Sequence, residues 1–312
     1  MFLLKNDSFH KKQLLPDETP FEYQLKSVWG DWGVSSEVAP LRAVLMRRPG
    51  REIEEFDWQQ CRFRSGIDPV KFREQFDSLV YLYKQYGIDV YFVQEQREDR
   101  PNAVYVRDLL FMMPTGAIIC RPALPVRRGE EVAVAKQLAI LNVPIVRTIT
   151  GNGTFEGADC FWVDRKTVII ATSKRTNIDA FEQLEFEFKR IGVEKIIHTT
   201  VPYSNAHLDG MMSIVDYSTV IINPIQVPYD LCKELSSKGF TIIEAPSHDE
   251  TQQNLALNMV VIRPGLVVQA AGNPLTKRIL EDNGIEVVNI DFDEVLKGWG
   301  SVHCCTAPLK RG

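Results

Sequence analysis

The sequence predicts an α/β fold made of five copies of one unit, and three observations support this prediction. First, apolar runs recur at intervals of roughly 50 residues, a spacing typical of repeated supersecondary units. They lie at 86–93, 141–148, 191–200, 238–246 and 283–291. Second, four of these runs have glycine as their second residue, where a helix ends in a left-handed cap. Third, β-like apolar runs precede each predicted helix, so the units are expected to form a closed or stacked array.

The elements of each unit follow one order along the chain. The runs ahead of the helices lie at 41–49, 109–122, 160–177, 212–224 and 258–274. Amphipathic helices are predicted near 69–85, 128–141, 178–190, 228–237 and 274–282. Asp68 and Pro69 begin the first helix, because aspartate is a favoured N-cap and proline fits the first turn. Residues 50–67 are polar and irregular, and they form either a lid or a packed surface loop.

Composition limits the domain organisation and the compartment. The chain has 312 residues, of which 45% are hydrophobic, so it can bury a full core. Because no linker separates the units, we predict one domain over 30–312, preceded by a tail or edge segment at 1–29. The first residues lack the apolar stretch of a secretory signal, and the six cysteines form no CxxC pair. These features indicate a cytoplasmic protein with free thiols.

Charge and hydropathy limit the partners. A formal net charge of −5 argues against nucleic acid, because phosphate binding usually requires a basic excess. The apolar runs stop short of the ~20 residues that span a bilayer, so no membrane partner is expected. A small molecule is therefore the expected partner. A homo-oligomer is possible, and the sequence leaves the oligomeric state open.

Polar residues lie just ahead of the first strand in three units, and a loop after the fifth unit adds a thiol. These residues are Asp108, Glu156, His207, Asp209 and, in segment 300–306, Cys304. If the units pack around one axis, all five side chains share one mouth. A thiol nucleophile needs a lowered pKa, and a histidine can move protons at the leaving group.

The carboxylates indicate the class of substrate. Acids that face one another require a delocalised cation, and a guanidinium presents paired N–H donors to two carboxylates. Such a cation beside Cys304 would also favour the thiolate. The sequence therefore predicts a site for a guanidino compound that needs neither a metal nor a cofactor.

Each of these residues also has a structural interpretation. An acid ahead of a strand commonly caps a turn, and adjacent cysteines commonly pack as small hydrophobes. Zinc is the competing chemical interpretation, but the five histidines show no HxxxH spacing and the cysteines no CxxC spacing. Segment 151–157 looks like a dinucleotide loop, yet its third glycine comes one position late. The joint placement at unit boundaries favours the catalytic interpretation.

Five stretches resemble the guanidino-group-modifying enzymes of the pentein fold. This family includes dimethylarginine dimethylaminohydrolases, arginine deiminases, arginine dihydrolases and amidinotransferases. The matching stretches keep the family's order and are YVRDLLF (105–111), IICRPALPVRRGEE (118–131), GTFEGADCFWVDRKTVIIATSKRTN (153–177), NAHLDGMMSIV (205–215) and GWGSVHCCTAPLKR (298–311). The repeat and the resemblance together imply a five-bladed α/β propeller of ββαβ units with pseudo-fivefold symmetry. Its helices would lie outside and its site at the centre.

The resemblance implies catalytic roles for five residues. Cys304 matches the nucleophile, and His207 matches the general acid/base. Asp108 and Asp209 match the acids that hold the guanidinium, and Glu156 matches the acid beside them. The implied reaction is covalent: the thiolate attacks the guanidinium carbon, the histidine protonates the departing nitrogen, and water then releases a ureido product such as citrulline.

The resemblance also implies substrate contacts and a class of reaction. Asn102 would make a polar contact, and Arg127 and Arg175 would bind the α-carboxylate of the substrate. Residues 50–101 are too few for the helical domain inserted in arginine deiminases, whereas dimethylargininases often lack an acid at the position of Asp209. Amidinotransferases are generally longer than this chain, so its compact size favours hydrolysis, and we predict a hydrolase of arginine or a methylated arginine. An amidinotransferase is the first alternative and a non-catalytic guanidino-binding protein the second.

Overall fold

The chain is described by a computed structural model over residues 16–94 and 98–312. The predicted N-terminal segment at 1–29 therefore lies partly outside the described residues, and its described part contains helix α1, Phe21–Val28. None of the helices in these two ranges combines the length and the apolar character that crossing a bilayer requires.

Six further helices follow in the described chain, and the sequence predicts five of them. They are α2 (Pro69–Gln85), α3 (Glu130–Ile140), α4 (Ile178–Arg190), α5 (Tyr229–Ser237), α6 (His248–Gln253) and α7 (Pro274–Asp282). Helix α2 begins as predicted, because the Asp68 side chain accepts hydrogen bonds from the backbone N–H groups of Val70 and Lys71. The short α6 has no counterpart in the prediction.

Fifteen strands of the described chain form five three-stranded sheets. The first sheet contains β1 (Leu41–Met46), β2 (Asp89–Phe92) and β15 (Ala307–Arg311). The second contains β3 (Leu110–Met113), β4 (Gly116–Ile119) and β5 (Ile145–Thr148), and the third β6 (Cys160–Asp164), β7 (Thr167–Thr172) and β8 (Lys195–Thr200). The fourth contains β9 (Met212–Asp216), β10 (Thr219–Ile222) and β11 (Thr241–Glu244), and the fifth β12 (Val260–Arg263), β13 (Leu266–Ala270) and β14 (Glu286–Ile290).

Four of the sheets have the predicted ββαβ order. In each, the middle strand pairs antiparallel with the strand before it and parallel with the strand that follows the helix. In the second sheet, for example, Phe111 lies opposite Ile118 on the antiparallel side. The five small mixed sheets fit the five repeats that the sequence predicts.

The first sheet differs from the prediction. Segment 41–49 supplies only one strand, β1, and the antiparallel partner of β1 is β15, where Leu45 lies opposite Ala307. Segment 41–49 is therefore not equivalent to the other four runs ahead of the helices, because each of those supplies two strands. The missing strand comes from beyond the fifth unit, where no local pattern links it to the first.

Left-handed backbone at the helix ends confirms the predicted caps. Gly87, Gly192, Gly239 and Gly284 have φ angles of 70°, 83°, 87° and 80°. The remaining unit has Asn142 at this position with φ 56°, and asparagine is the residue that most readily replaces glycine there.

Burial is uneven within each unit. Strands β3 and β4 are buried along their whole length, whereas β2 and β5 are half-buried or exposed. Helix α2 directs Phe72, Phe76 and Leu79, all fully buried, into the core. Burial of each such side chain stabilises the fold by about 1.5–3 kcal/mol. The first two strands of a unit thus form its interior, and the final strand lies nearer to solvent.

Candidate active site

One cavity, with a volume of about 810 Å³, is lined by described residues from all five units. Seven of the eight predicted site residues line it: Asn102, Asp108, Arg127, Arg175, His207, Asp209 and Cys304. The eighth, Glu156, is fully buried directly behind His207. The structure therefore brings all eight predicted residues together.

Short 3₁₀ turns place the acids at the cavity. The turns Val106–Leu109, Gly157–Asp159 and Leu208–Gly210 each come just before the first strand of a unit. Neighbouring turns touch, since a Cβ atom added at Gly157 would lie 2.5 Å from the carbonyl oxygen of Arg107. Only glycine permits this approach, which holds the third unit's acids against those of the second.

His207 and Glu156 form a buried ion pair. Nε2 of His207 lies 2.6 Å from Oε2 of Glu156 and 3.9 Å from Oδ1 of Asp108. Burial opposes the charge on the imidazole, but the carboxylates of Asp108 and Glu156 outweigh it and raise the pKa of His207 to about 10. Burial likewise opposes the charge on Glu156, yet His207 and Arg175 hold the pKa of this carboxyl below its usual range. The free site therefore carries a charged histidine.

The ion pair makes stability depend on pH. Because the pKa of His207 is raised from 6.5 to about 10, its contribution is complete below about pH 6.5 and is lost as the pH rises towards 10. Glu156 contributes above its ordinary pKa of 4.5 and loses that contribution in acid. We expect His207→Gln to lower the free energy of unfolding by about 3–5 kcal/mol near pH 6 and by less near pH 10, measured by urea unfolding. An equal loss at both pH values would contradict the charged pair.

Asp108 has one oxygen paired and one unpaired. Its Oδ2 accepts a hydrogen bond from Nη1 of Arg127 at 2.5 Å. Its Oδ1 is buried and has no hydrogen-bond partner among the described residues. Glu52, Glu130 and Glu187 also have one buried carboxylate oxygen without a hydrogen bond to a described residue, but Asp108 is the one of these four residues that lines the cavity. Its Oδ1 is therefore the oxygen to which a bound ligand could donate.

Arg127 and Arg175 differ in how far their donors are committed. Arg127 is buried, and besides Asp108 it donates to Oε2 of Glu130 at 2.9 Å and to the carbonyl oxygens of Asn102 and Tyr105. Its guanidinium is thus bound within the protein. Arg175 is more exposed, and with the residues that the structure describes its guanidinium makes one long contact, 3.4 Å from Nη1 to Oε1 of Glu156. Of the two, Arg175 has the donors available to a ligand.

Of the two adjacent cysteines, Cys304 is the one that reaches the cavity, which Cys61 also lines. Cys304 is 5% exposed and lines the cavity, whereas Cys305 is fully buried and does not line it. Burial, and then the charges of Asp209 and Asp108, raise the pKa of the Cys304 thiol well above its ordinary value. The Sγ atom lies 3.7 Å from Oδ2 of Asp209. Burial and the two acids therefore favour the neutral thiol of Cys304 over its thiolate.

A family model described as "N,N dimethylarginine dimethylhydrolase, eukaryotic" matches residues 59–311. The chain belongs to this family. A curated relative, the N(G),N(G)-dimethylarginine dimethylaminohydrolase of Streptomyces coelicolor, is 26% identical over 272 residues, which cover 87% of this chain and 98% of the relative.

Solved structures share the fold of this dimethylarginine dimethylhydrolase family member. DDAH from Pseudomonas aeruginosa, complexed with citrulline, has a TM-score of 0.71 and 22% identity, and covers 86% of this chain and 100% of its own. SxtG, an amidinotransferase from Microseira wollei, has a TM-score of 0.75 and 16% identity. The match covers 90% of this chain and 97% of SxtG. The predicted membership in the guanidino-modifying superfamily is confirmed, and the family's named members include hydrolases of C–N bonds in amidines.

Two polar residues of this family member were missed by the sequence analysis. Asn258 donates from Nδ2 to Oδ2 of Asp209 at 2.7 Å and to Sγ of Cys304 at 3.1 Å. His303 lies with Nδ1 2.8 Å from the same Asp209 oxygen. A signal for Asn258 was present, because it precedes the first strand of the fifth unit just as Asp108 precedes that of the second. Asn258 is neither an acid nor a histidine, so the pattern of acids and histidines at the unit boundaries does not include it.

Three site residues could in principle offer ligands to a metal ion. One ligand atom each from Asp108, Glu156 and His207 lies within 4.8 Å of the others. In this dimethylarginine dimethylhydrolase family member, however, Nε2 of His207 is already bound to Oε2 of Glu156. A metal ion would have to separate this pair, so the arrangement fits a protonated His207 better than a metal ion.

Proposed function

We propose that this chain is a cysteine-dependent hydrolase of the guanidino group of arginine or Nω-methylated arginine. The unpaired Oδ1 of Asp108 is the observation that carries the proposal. A buried carboxylate oxygen without a donor is costly, and a guanidinium supplies both the donor and the opposite charge. The planar guanidinium presents paired N–H donors that match carboxylates, whereas an ammonium group acts as a point charge.

Asp209 would hold the other side of the guanidinium. Its three donors, Asn258, His303 and Cys304, all share Oδ2, so Oδ1 takes no part in this set of hydrogen bonds. A cation between Asp108 and Asp209 would offset the two charges that keep Cys304 protonated. Substrate binding would therefore help to form the thiolate that attacks it.

The remainder of the substrate would extend towards the cavity opening. We assign the α-carboxylate to Arg175, whose donors are available, and we assign Arg127 to the support of Asp108. The side-chain amide of Asn102 donates to the carbonyl oxygen of Cys61 at 3.0 Å. Asn102 would thus contribute by holding segment 50–67 at the cavity, where Trp58 and Phe63 form part of the lining.

The reaction then follows from the charges of the free site. The Cys304 thiol gives its proton to solvent when the guanidinium binds, because His207 is already charged and cannot accept it. The thiolate then bonds to the guanidinium carbon, and the charged His207 protonates the departing nitrogen as the C–N bond breaks. The planar amidino thioether remains a cation held by Asp108 and Asp209. The neutral His207 takes one proton from water, the water oxygen bonds to carbon, and the C–S bond breaks to return the thiolate. The second proton of the water passes to the released ammonia or amine. The products are citrulline and ammonia, or citrulline and an amine.

An amidinotransferase remains the second candidate, because the cavity is larger than one arginine requires. Its volume of about 810 Å³ leaves room for an acceptor amine beside the guanidino substrate. In that reaction the acceptor nitrogen, in place of water, attacks the amidino thioether.

The fold and compartment follow from the same site. We propose that the five sheets close into a five-bladed propeller within a single domain over 30–312, since one cavity receives residues from all five units. The pairing of β1 with β15 supports closure between the first and fifth units. We also propose a reducing compartment, because Cys304 must stay a free thiol.

Mass-resolved turnover tests the proposed function. Purified protein would be given arginine with both terminal guanidino nitrogens isotopically labelled, or asymmetric dimethylarginine, each with and without glycine. Citrulline plus labelled ammonia would identify an arginine deiminase, and citrulline plus dimethylamine a dimethylargininase. Ornithine formed only with glycine would identify the transferase. Binding without any product would overturn catalysis altogether. Activity that survives prolonged treatment with a chelator would support a site without metal.

A further inference from the structure

Asn258 is buried at the point where the nucleophile and one of the acids meet. It is 2% exposed and all of its polar atoms are used. Its Oδ1 accepts hydrogen bonds from the backbone N–H groups of His303 and Cys304, at 3.1 and 3.2 Å. Its Nδ2 donates to Oδ2 of Asp209 and to Sγ of Cys304. One side chain thus touches the reacting atom, its backbone and the neighbouring carboxylate.

The partners fix the orientation of this amide. Two backbone N–H donors face one end of the group and can bond only to the oxygen. A carboxylate oxygen faces the other end and can bond only to the NH₂ group. The NH₂ group therefore points at the sulfur in the only orientation that satisfies all four contacts.

We propose that Asn258 is a catalytic residue that stabilises the Cys304 thiolate. Its amide supplies a hydrogen bond to the sulfur that Asp108, Glu156, Asp209 and His207 do not supply. An N–H donor to sulfur is weak while the sulfur is a thiol and strengthens once it is charged. A preorganised donor of this kind favours the charged state without reorganisation during the reaction. The amide also holds the 303–304 backbone, so that the sulfur stays in place when it loses its proton.

The surroundings of Cys304 explain why such a donor is needed. The charged groups that face the thiol are Asp209 and Asp108, and both oppose a thiolate. His303 lies beyond Asp209, with its Nδ1 on the carboxylate and not on the sulfur, and the neutral Cys305 is the adjacent residue. Of the side chains recorded in contact with Sγ, Asn258 is the one that can donate to it without carrying a charge.

The repeat places Asn258 as the contribution of the fifth unit. It stands two residues ahead of β12, as Asp108 stands two residues ahead of β3. An acid at this position would add a third negative charge beside the sulfur, whereas an amide keeps the shape and supplies a donor.

Alkylation of Cys304 by iodoacetamide tests the role without any substrate. The proposal rests on the proposed function only in taking Cys304 as the nucleophile. The alkylation rate can be measured even if no substrate is turned over. The rate would be measured against pH by peptide mass analysis. We expect Asn258→Ala to move the profile up by about 1–2 pH units, which lowers the rate at a fixed pH below the thiol pKa by about 10- to 100-fold. Asn258→Asp, which keeps an acceptor, removes the donor and adds a negative charge beside the sulfur, should lower the rate further than Asn258→Ala does.

The matched control is Asn273→Ala. Asn273 is also fully buried, and its Nδ2 donates to the carbonyl oxygen of Ala270 in the same unit. This hydrogen bond does not involve the loop that carries Cys304. This variant should lose stability and keep the wild-type alkylation profile. If Asn258→Ala does not fold, the near-isosteric Asn258→Asp decides. A wild-type profile in either folded Asn258 variant would overturn the proposal, and so would an equal shift in Asn273→Ala.

Discussion

Replacement of Cys304 by serine is expected to lower turnover of the guanidino substrate by at least about 10³-fold, whereas Cys305→Ser should retain most of it. A serine hydroxyl is a much weaker nucleophile at neutral pH because almost none of it is ionised. Cys304 lines the cavity beside Asp209, and Cys305 is fully buried away from it. The two variants make the same chemical change at adjacent positions, so each is a control for the other.

The measurement should include the covalent step. A haloacetamidine carries a planar cation and a reactive carbon, and it should add its mass to wild type and Cys305→Ser but not to Cys304→Ser. Equal loss of turnover in the two variants would contradict the assignment of the nucleophile. Labelling of Cys305 in the wild-type protein would contradict it as well.

The variant Asp108→Asn is expected to lower kcat/KM by about 10²–10³-fold. The change removes the negative charge and turns the unpaired acceptor into a group that is neutral, so the guanidinium loses a charge-assisted hydrogen bond. The charge also helps to raise the pKa of His207, so the ionisation of the histidine should move to lower pH. Steady-state kinetics across pH would record both effects.

Glu130→Gln is the matched control for this variant. Glu130 and Asp108 are both carboxylate partners of Arg127, but only Asp108 lines the cavity. If Asp108 acts merely by holding Arg127, the two variants should lose the same activity. If Asp108 binds substrate, Glu130→Gln should lose stability with little change in kcat/KM. Equal losses in both would refute direct binding.

The elements that the sequence predicted well are those with local signals. Helices 178–190 and 274–282 have the bounds expected, because an N-terminal asparagine or proline and a following glycine mark them. The eight site residues also meet as expected, since each of the acids lies at an equivalent boundary of a repeated unit. The repeat therefore predicted that these residues lie close together in space, which no single motif predicts.

The features that were missed depend on distant partners. The pairing of β15 with β1 joins two segments that share no local pattern. The sequence therefore suggested that segment 41–49 was equivalent to the runs that supply two strands, whereas it supplies one. The role of Arg127 could not be read from the sequence either, because its four internal acceptors lie in segment 102–108 and at the start of helix α3. Asn258 has no charge and no proton to move, and a search for titratable residues could not single it out.

The pairing of β1 with β15 has a consequence for the order of folding. During synthesis the first unit emerges early, yet β1 lacks its antiparallel neighbour until residues 307–311 have been made. Closing so long a loop is slow compared with the local steps inside the other units. We expect the middle units to fold first and the first sheet to be completed last. Because Cys304 lies only three residues before β15, its thiol reaches the cavity in that same late step. Incomplete chains would then hold the acids together without the Cys304 thiol, so the proposed chemistry could begin only once the whole chain has been made.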